Sequence, residues 1–253
     1  MTTREGGFEE AWEGAPEAVR RTLGLAYESL TAGGLAVGAV LTDPAGRVLA
    51  QGRNEAYASY GAYEAYGAQG VSGASGGGPG TGPLRGTPLA HAEMNALGAA
   101  RTGWVLGSAT LWSTQEPCPM CAAAAAFTGV GGVRYLAPDP WALSEGSAGT
   151  SGATAVEGGG GVWPLVANLM FLRSVAVAHR GPAEPAVLAH HRTVEPETVA
   201  LHEAVPAGLP DAASVAEWLA GVWSPVTGAA ATRADRLERQ APYPARPEAR
   251  PRP

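Results

Sequence analysis

A chain of 253 residues, 45% of them apolar, can bury one sizeable core, and its 36 glycines and 21 prolines set irregular segments between the packed ones. All 17 basic residues are arginine, which excludes chemistry that needs lysine: Schiff bases, a pyridoxal phosphate anchor, a phosphate-loop lysine. The net charge is −6 and residues 1–180 carry no basic stripe, which argues against a nucleic-acid partner, since that would need positive charge clustered on one face.

The N-terminus carries Arg4, Glu5, Glu9 and Glu10 with no apolar run behind them, unlike a secretory signal. The most apolar stretch, VWPLVANLMFLRSVAVA, is broken by Pro164 and Arg173 and is too short to span a bilayer. These features predict a cytoplasmic protein without membrane attachment, in a compartment that keeps thiols reduced. Residues 16–31 read as a helix, with Pro16 in the first turn, Val19, Leu23, Ala26 and Leu30 on one face, and Gly33-Gly34 at the end. GLAVGAVLTDPAGRVLAQGRN reads as a hairpin turning at Asp43-Pro44-Ala45-Gly46, with Gly38 marking a close approach of another backbone.

Residues 55–87 place tyrosines at 57, 60, 63 and 66, a spacing that drifts around a helix and forms no single face. A glycine-rich insertion follows at about 67–86. The segment reads either as a lid with aromatic contacts or as a passive surface loop, and the loop is the simpler reading. TPLAHAEMNALGAARTG predicts a helix capped by Thr87, with Pro88 in its first turn and Gly103 at its end. Residues 109–114 read as a strand, CPMCAAAAAF as the start of a helix and 132–137 as a strand, together a right-handed crossover between parallel strands. A second glycine-rich insertion covers 146–161, a helix is expected over 162–174, and EPETVALHEA and DAASVAEWLAGVW read as helices. Residues 241–253, rich in proline and arginine, read as a disordered tail.

The two cysteines, Cys118 and Cys121, are one helical turn apart at a helix N-terminus, which favours thiolate. On that motif alone, a zinc site and a thioredoxin-like redox pair are equally good readings. The segment HAE upstream separates them. His91 with the two thiols supplies three ligands of the kind zinc prefers, and a three-ligand site leaves a fourth position open for water. Glu93 is placed to move protons to and from that water, which a redox pair does not need.

H-x-E followed by P-C-x-x-C is the signature of zinc deaminases that act on bases. Here the chain resembles the cytidine/deoxycytidylate deaminase superfamily, through VGAVL, GRN, HAEMNAL and EPCPMC, over roughly residues 17–141. The resemblance implies an α/β fold: a three-layer α/β/α architecture with a central mixed five-stranded sheet, a parallel last strand and helices on both faces. It implies a zinc-dependent deaminase domain, placed over 1–180; the extension over 181–240, read as helical, departs from the family pattern. It implies Zn2+ on His91, Cys118 and Cys121, Glu93 as the catalytic proton carrier, and substrate contacts from Asn54 and the Ala92 N–H. Asp139 and Trp141, past the last clear strand, are further pocket candidates. Glu116 reads as a structural hydrogen-bonding group, and His179, His190, His191 and His202 as structural or exposed.

The substrate class is a small base or nucleoside. Asn95 within HAEMNAL, and EPCPMC, lean toward guanine deaminases, whereas tRNA adenosine deaminases typically carry HAEIMAL. A purine such as guanine is therefore favoured, in a homodimeric enzyme. The alternatives are a tRNA adenosine deaminase, a deaminase of a specialised aminoheterocycle, and a zinc-stabilised binding module without activity.

Overall fold

Every residue of β1 (Gly38–Thr42) is buried, which fits a strand enclosed on both faces. The computed structural model describes residues 7–56, 82–138, 153–156 and 161–240, and within it β1 lies inside a five-stranded sheet. Its other strands are β2 (Val48–Arg53), β3 (Thr110–Gln115), β4 (Gly132–Ala137) and β5 (Ala153–Ala155), in the order β2-β1-β3-β4-β5. β1 pairs antiparallel with β2 and β3, while β3, β4 and β5 run parallel. The sheet is thus mixed, and its parallel half begins at the strand that leads into the cysteines.

Two glycines mark where helices press on opposite faces. A Cβ at Gly38 would meet the Thr22 carbonyl and come within 2.7 Å of Ala26 N, so α2 (Glu17–Thr31) lies directly on β1. A Cβ at Gly52 would meet the Ala92 carbonyl and come within 2.6 Å of Ala96 N, so α3 (Ala92–Gly98) lies directly on β2. α4 (Pro119–Phe127) packs beside α3, with Ala92, Ala96, Leu111 and Ala125 in one apolar cluster. α5 (Val162–Ala178) packs beside α2 on the other face, where Leu23, Leu30, Val166 and Met170 share a core with Leu136.

Three helices follow: α6 (Ala186–Val194), α7 (Pro196–Ala204) and α8 (Val215–Gln240). Leu201, Leu219, Trp223 and Val226 from α7 and α8 enter the same cluster as α2 and α5. An N-terminal helix, α1 (Phe8–Gly14), closes that cluster, with Phe8 5.2 Å edge-on to Trp223 and Trp12 5.9 Å edge-on to Trp163. Arg173 is buried on α5, where its guanidinium donates to the carbonyls of His202 (3.0 Å) and Val205 (3.1 Å) at the end of α7. These carbonyls have no intrahelical partner, and a cation is favourable there.

Several sequence expectations shift. The helix expected from Thr87 to Gly103 spans only Ala92–Gly98. Pro88 disfavours helical backbone at Thr87, and residues 84–91 instead form successive turns, with N–H to C=O bonds from Thr87 to Leu84 and from Ala90 to Thr87. Pro16 is the N-cap of α2 and not a first-turn residue. Part of the glycine-rich segment 146–161 is β5, whose pairing with β4 gives a short sequence a strand it would not form alone. α5 runs four residues past the expected end at 174, and α1 and α6 have no counterpart in the reading of the sequence. Most of the tyrosine and glycine-rich segment, residues 57–81, lies outside the described residues, as does the tail. Among the described residues no helix is long and apolar enough to cross a membrane.

Candidate active site

His91 and Cys118 are both N-caps. His91 holds extended backbone just before α3, and Cys118 does the same before α4, with Pro119 pre-set at the first helical position. One turn into α4, Cys121 is fully buried. The packing of α3 beside α4 brings three donors together: Cys118 Sγ and Cys121 Sγ are 3.6 Å apart, and each is 3.6 Å from His91 Nδ1. Zn–S bonds of about 2.3 Å and Zn–N bonds of about 2.0–2.1 Å, at tetrahedral angles, require ligand separations of about 3.5–3.8 Å. The triangle therefore fits zinc in donor type and in size, and among the described residues it is the one such group of metal-ligating side chains.

Electrostatics points the same way. Cys121 and His91 hold the Cys118 thiol down at about 4, while the neighbouring Cys118, burial and the nearby Glu93 push the Cys121 thiol well up. The pair readily gives up one proton and keeps the second, and a divalent cation between the sulfurs supplies the charge that releases it.

Glu93, in the first turn of α3, is 3% exposed. Its Oε1 accepts a hydrogen bond from Ser113 Oγ at 2.8 Å, and its Oε2 lies 3.5 Å from Cys121 Sγ. Burial raises its pKa, opposed by hydrogen bonds from its own backbone and from Ser113. The carboxyl is thus fixed against the metal triangle.

The other expected residues are less uniform. Asn54 is buried at the end of β2, where its N–H donates to Val37 O and its Oδ1 accepts from Ala56 N at 3.2 Å, the geometry of a turn asparagine. Ala92 is the first residue of α3, so its N–H is one of the groups a helix leaves without an intrahelical partner. Glu116 donates its backbone N–H to Ala137 O at 2.7 Å. Asp139 and Trp141 lie outside the described residues.

Three residues support the site, of which the sequence singles out only Asn95, and that for its place in HAEMNAL. Ser113 anchors Glu93. Asn95 donates to Arg53 O at 3.0 Å and accepts from Leu84 N at 3.0 Å, tying α3 to β2 and to the loop before it. Glu55, 1% exposed, pairs with Arg53 at 3.2 Å and accepts from Gly82 N at 2.6 Å. The run Ser-Thr-Gln after Leu111-Trp112 on β3 is the signal that could have drawn attention to Ser113.

A profile of the cytidine and deoxycytidylate deaminase zinc-binding region matches residues 14–137, a span that contains the metal triangle, Glu93 and four of the five strands. Residues 14–137 belong to the cytidine and deoxycytidylate deaminase superfamily. The deaminase segment is a zinc-binding one, with His91, Cys118 and Cys121 as the group that could hold the ion. A tRNA(Ile)-lysidine synthase of Deinococcus deserti is 33% identical over 133 residues, which are 51% of this chain and 20% of the relative. The chain thus spans about a fifth of that relative's length. Among solved structures, one from a study of A-to-I editing by tRNA wobble-position deaminases is 23% identical, with a TM-score of 0.39, covering 56% of this chain and 92% of that one. The guanine deaminase of Bacillus subtilis is 27% identical, with a TM-score of 0.35, covering 48% of this chain and 62% of that one. A third, solved in complex with 2,6-diaminopurine, is 19% identical with a TM-score of 0.41, covering 68% and 86%.

Proposed function

We propose that the chain is a zinc-dependent aminohydrolase that replaces the amino group on an amidine carbon of a free base or nucleoside, with purines such as guanine favoured. The observation that carries this reading is Glu93: a buried carboxyl held by Ser113 at 2.8 Å, with its second oxygen against the His91–Cys118–Cys121 triangle. Zinc bound by these three residues supplies a water activated near neutral pH. Glu93 takes a proton from water and delivers it to the ring nitrogen beside the carbon under attack. It then takes the remaining proton of that water from the hydroxyl on the ring carbon and delivers it to the departing amine, so that water and the amidine yield a carbonyl and ammonia. The Ala92 N–H holds a ring carbonyl, Asn54 contacts the ring or sugar, and Asp139 and Trp141 complete the pocket. We assign the deaminase domain to residues 1–180, place the protein in the cytoplasm and expect a homodimer.

Ammonia release over guanine, adenine, cytosine, their nucleosides and related triazines, with zinc measured on the same sample, tests the reading. Glu93→Ala should keep its zinc and lose turnover by roughly 10²–10⁴-fold. Turnover near that of the unsubstituted protein would remove Glu93 from its role.

A second reading is a tRNA adenosine deaminase, since a relative 33% identical over 133 residues is a tRNA(Ile)-lysidine synthase. The net charge of −6 weighs against it. Binding of tRNA that weakens steeply with salt would support it.

A further inference from the structure

Gln115 is buried, and neither its amide oxygen nor its amide nitrogen has a hydrogen-bond partner. A leucine would fill the same place without that penalty, so a carboxamide kept dry and unpaired calls for a function. Its position suggests one. Ser113 and Gln115 are two residues apart on β3 and therefore share a face of the sheet. That face carries α3: Ser113 bonds Glu93, and Leu111, two residues earlier, packs with Ala92 and Ala96.

The register carries this face across the sheet to β1. Ser113 lies opposite Ala39, so continuing that register two residues places Val37, just before β1, beside Gln115. The N–H of Asn54 donates to Val37 O on the other side. Two carboxamides, Asn54 and Gln115, thus flank Val37 at the end of the sheet where β3 runs into Cys118. The Cα atoms of Ser113 and Gln115 are roughly 7 Å apart by strand geometry, about the width of a six-membered heterocycle with its substituents. By that spacing, a ring presented to Glu93 would meet Gln115.

We propose that Gln115 is a specificity-determining residue that reads the edge of the ring flanking the amidine, where one hydrogen-bond donor stands beside one acceptor. A carboxamide offers the matching pair: its C=O accepts from a ring N–H, and its NH2 donates to the adjacent C=O. The ligand class is then an aminoheterocycle with a lactam edge, as in guanine. A ring without that edge leaves both amide groups unpaired on binding and is rejected. The proposal rests on the aminohydrolase reading for the identity of its ligand.

The test compares guanine with 2-aminopurine, which keeps the 2-amino group but lacks the 6-oxo group and the N1 hydrogen. Equilibrium binding is measured on the zinc-loaded full chain carrying Glu93→Gln, so that no turnover intervenes. Guanine should bind at least about tenfold more tightly, the equivalent of one hydrogen bond. Adding Gln115→Met, or Gln115→Leu as a second replacement, should bring the two ligands to within about threefold, with no loss in thermal midpoint because an unpaired buried amide is removed. A preference that survives both replacements, or a parent protein that binds guanine no better than 2-aminopurine or not at all, overturns the proposal. Ammonia release by the unsubstituted chain, run in parallel, separates the two claims. A preference that depends on Gln115 with no ammonia released sinks the aminohydrolase reading alone; ammonia release with an unchanged preference sinks the role of Gln115 alone.

Discussion

Glu93 is restrained from both sides: Ser113 donates to one oxygen, and the Cys121 sulfur borders the other. The serine hydroxyl stabilises the carboxylate form and so works against the rise in pKa that burial imposes. Removing it in Ser113→Ala should lower kcat by about 10–100-fold, the usual range for a group that positions an active one, with zinc content unchanged. It should also raise the Glu93 pKa further, so the acid limb of the rate profile moves to higher pH. Ser113→Thr, which keeps the hydroxyl, should restore both; a profile that does not move in Ser113→Ala would make the serine a packing residue only. At this scale the sequence was readable where chemistry imposes spacing. His91, Glu93, Cys118 and Cys121 form a pattern, whereas Ser113 and Gln115 acquire meaning only when the strand sets them on the face that carries α3.

Two helices, α3 and α2, are seated on the sheet through residues without a side chain, and of the two only α3 carries part of the site. At Gly52 an added methyl group would press on the α3 backbone at Ala92 and Ala96, between the residues that present His91 and Asn95. Gly52→Ala should therefore cost on the order of 1–3 kcal/mol of stability and also weaken zinc binding, since His91 caps the displaced helix. Gly38→Ala should cost a similar amount through α2 while leaving zinc affinity within about threefold, because α2 carries no ligand. Unfolding curves and competitive zinc titration of both variants check the contrast; equal zinc affinities would contradict it. The α2 face, the hairpin and the β3–α4–β4 crossover were legible because their apolar periodicities are long and their turns carry Gly and Pro. The extent of α3 was not, since HAEMNALGAA has good helix formers on both sides of boundaries that tertiary contacts set: Asn95 fastens the preceding turn to the helix and to β2.

At the scale of the molecule, the helices after residue 180 pack into the core that backs the sheet. α8 is tied to the α6–α7 junction by ion pairs, Arg233 with Glu195 at 2.6 Å and Arg236 with Glu197 at 2.7 Å. Arg236 holds the Glu197 carboxyl below its ordinary value of 4.5. A depressed pKa gives stability that is present above about 4.5 and is lost as pH falls through the folded-state value. Burial likewise depresses His191, so its contribution is full above 6.5 and declines below it. The thermal midpoint of the unsubstituted protein should thus fall more steeply below about pH 4.5 than that of Glu197→Gln, and parallel curves would show that the pair contributes nothing. The helical character of this region could be read from the sequence, but its attachment could not. Arg173 reads as a defect in an apolar helix until the carbonyls of His202 and Val205 are seen around it.

His91, Cys118 and Cys121 are the group that could hold a single zinc, through one imidazole and two thiols. Zinc stoichiometry with X-ray absorption at the zinc edge tests this most directly. One ion per chain should appear, with two sulfur neighbours at about 2.3 Å and only nitrogen or oxygen besides, at about 2.0–2.2 Å. Cys118→Ser and Cys121→Ser should each lose the ion. A protein that binds no zinc, or one whose zinc neighbours are unchanged in both variants, would contradict the account.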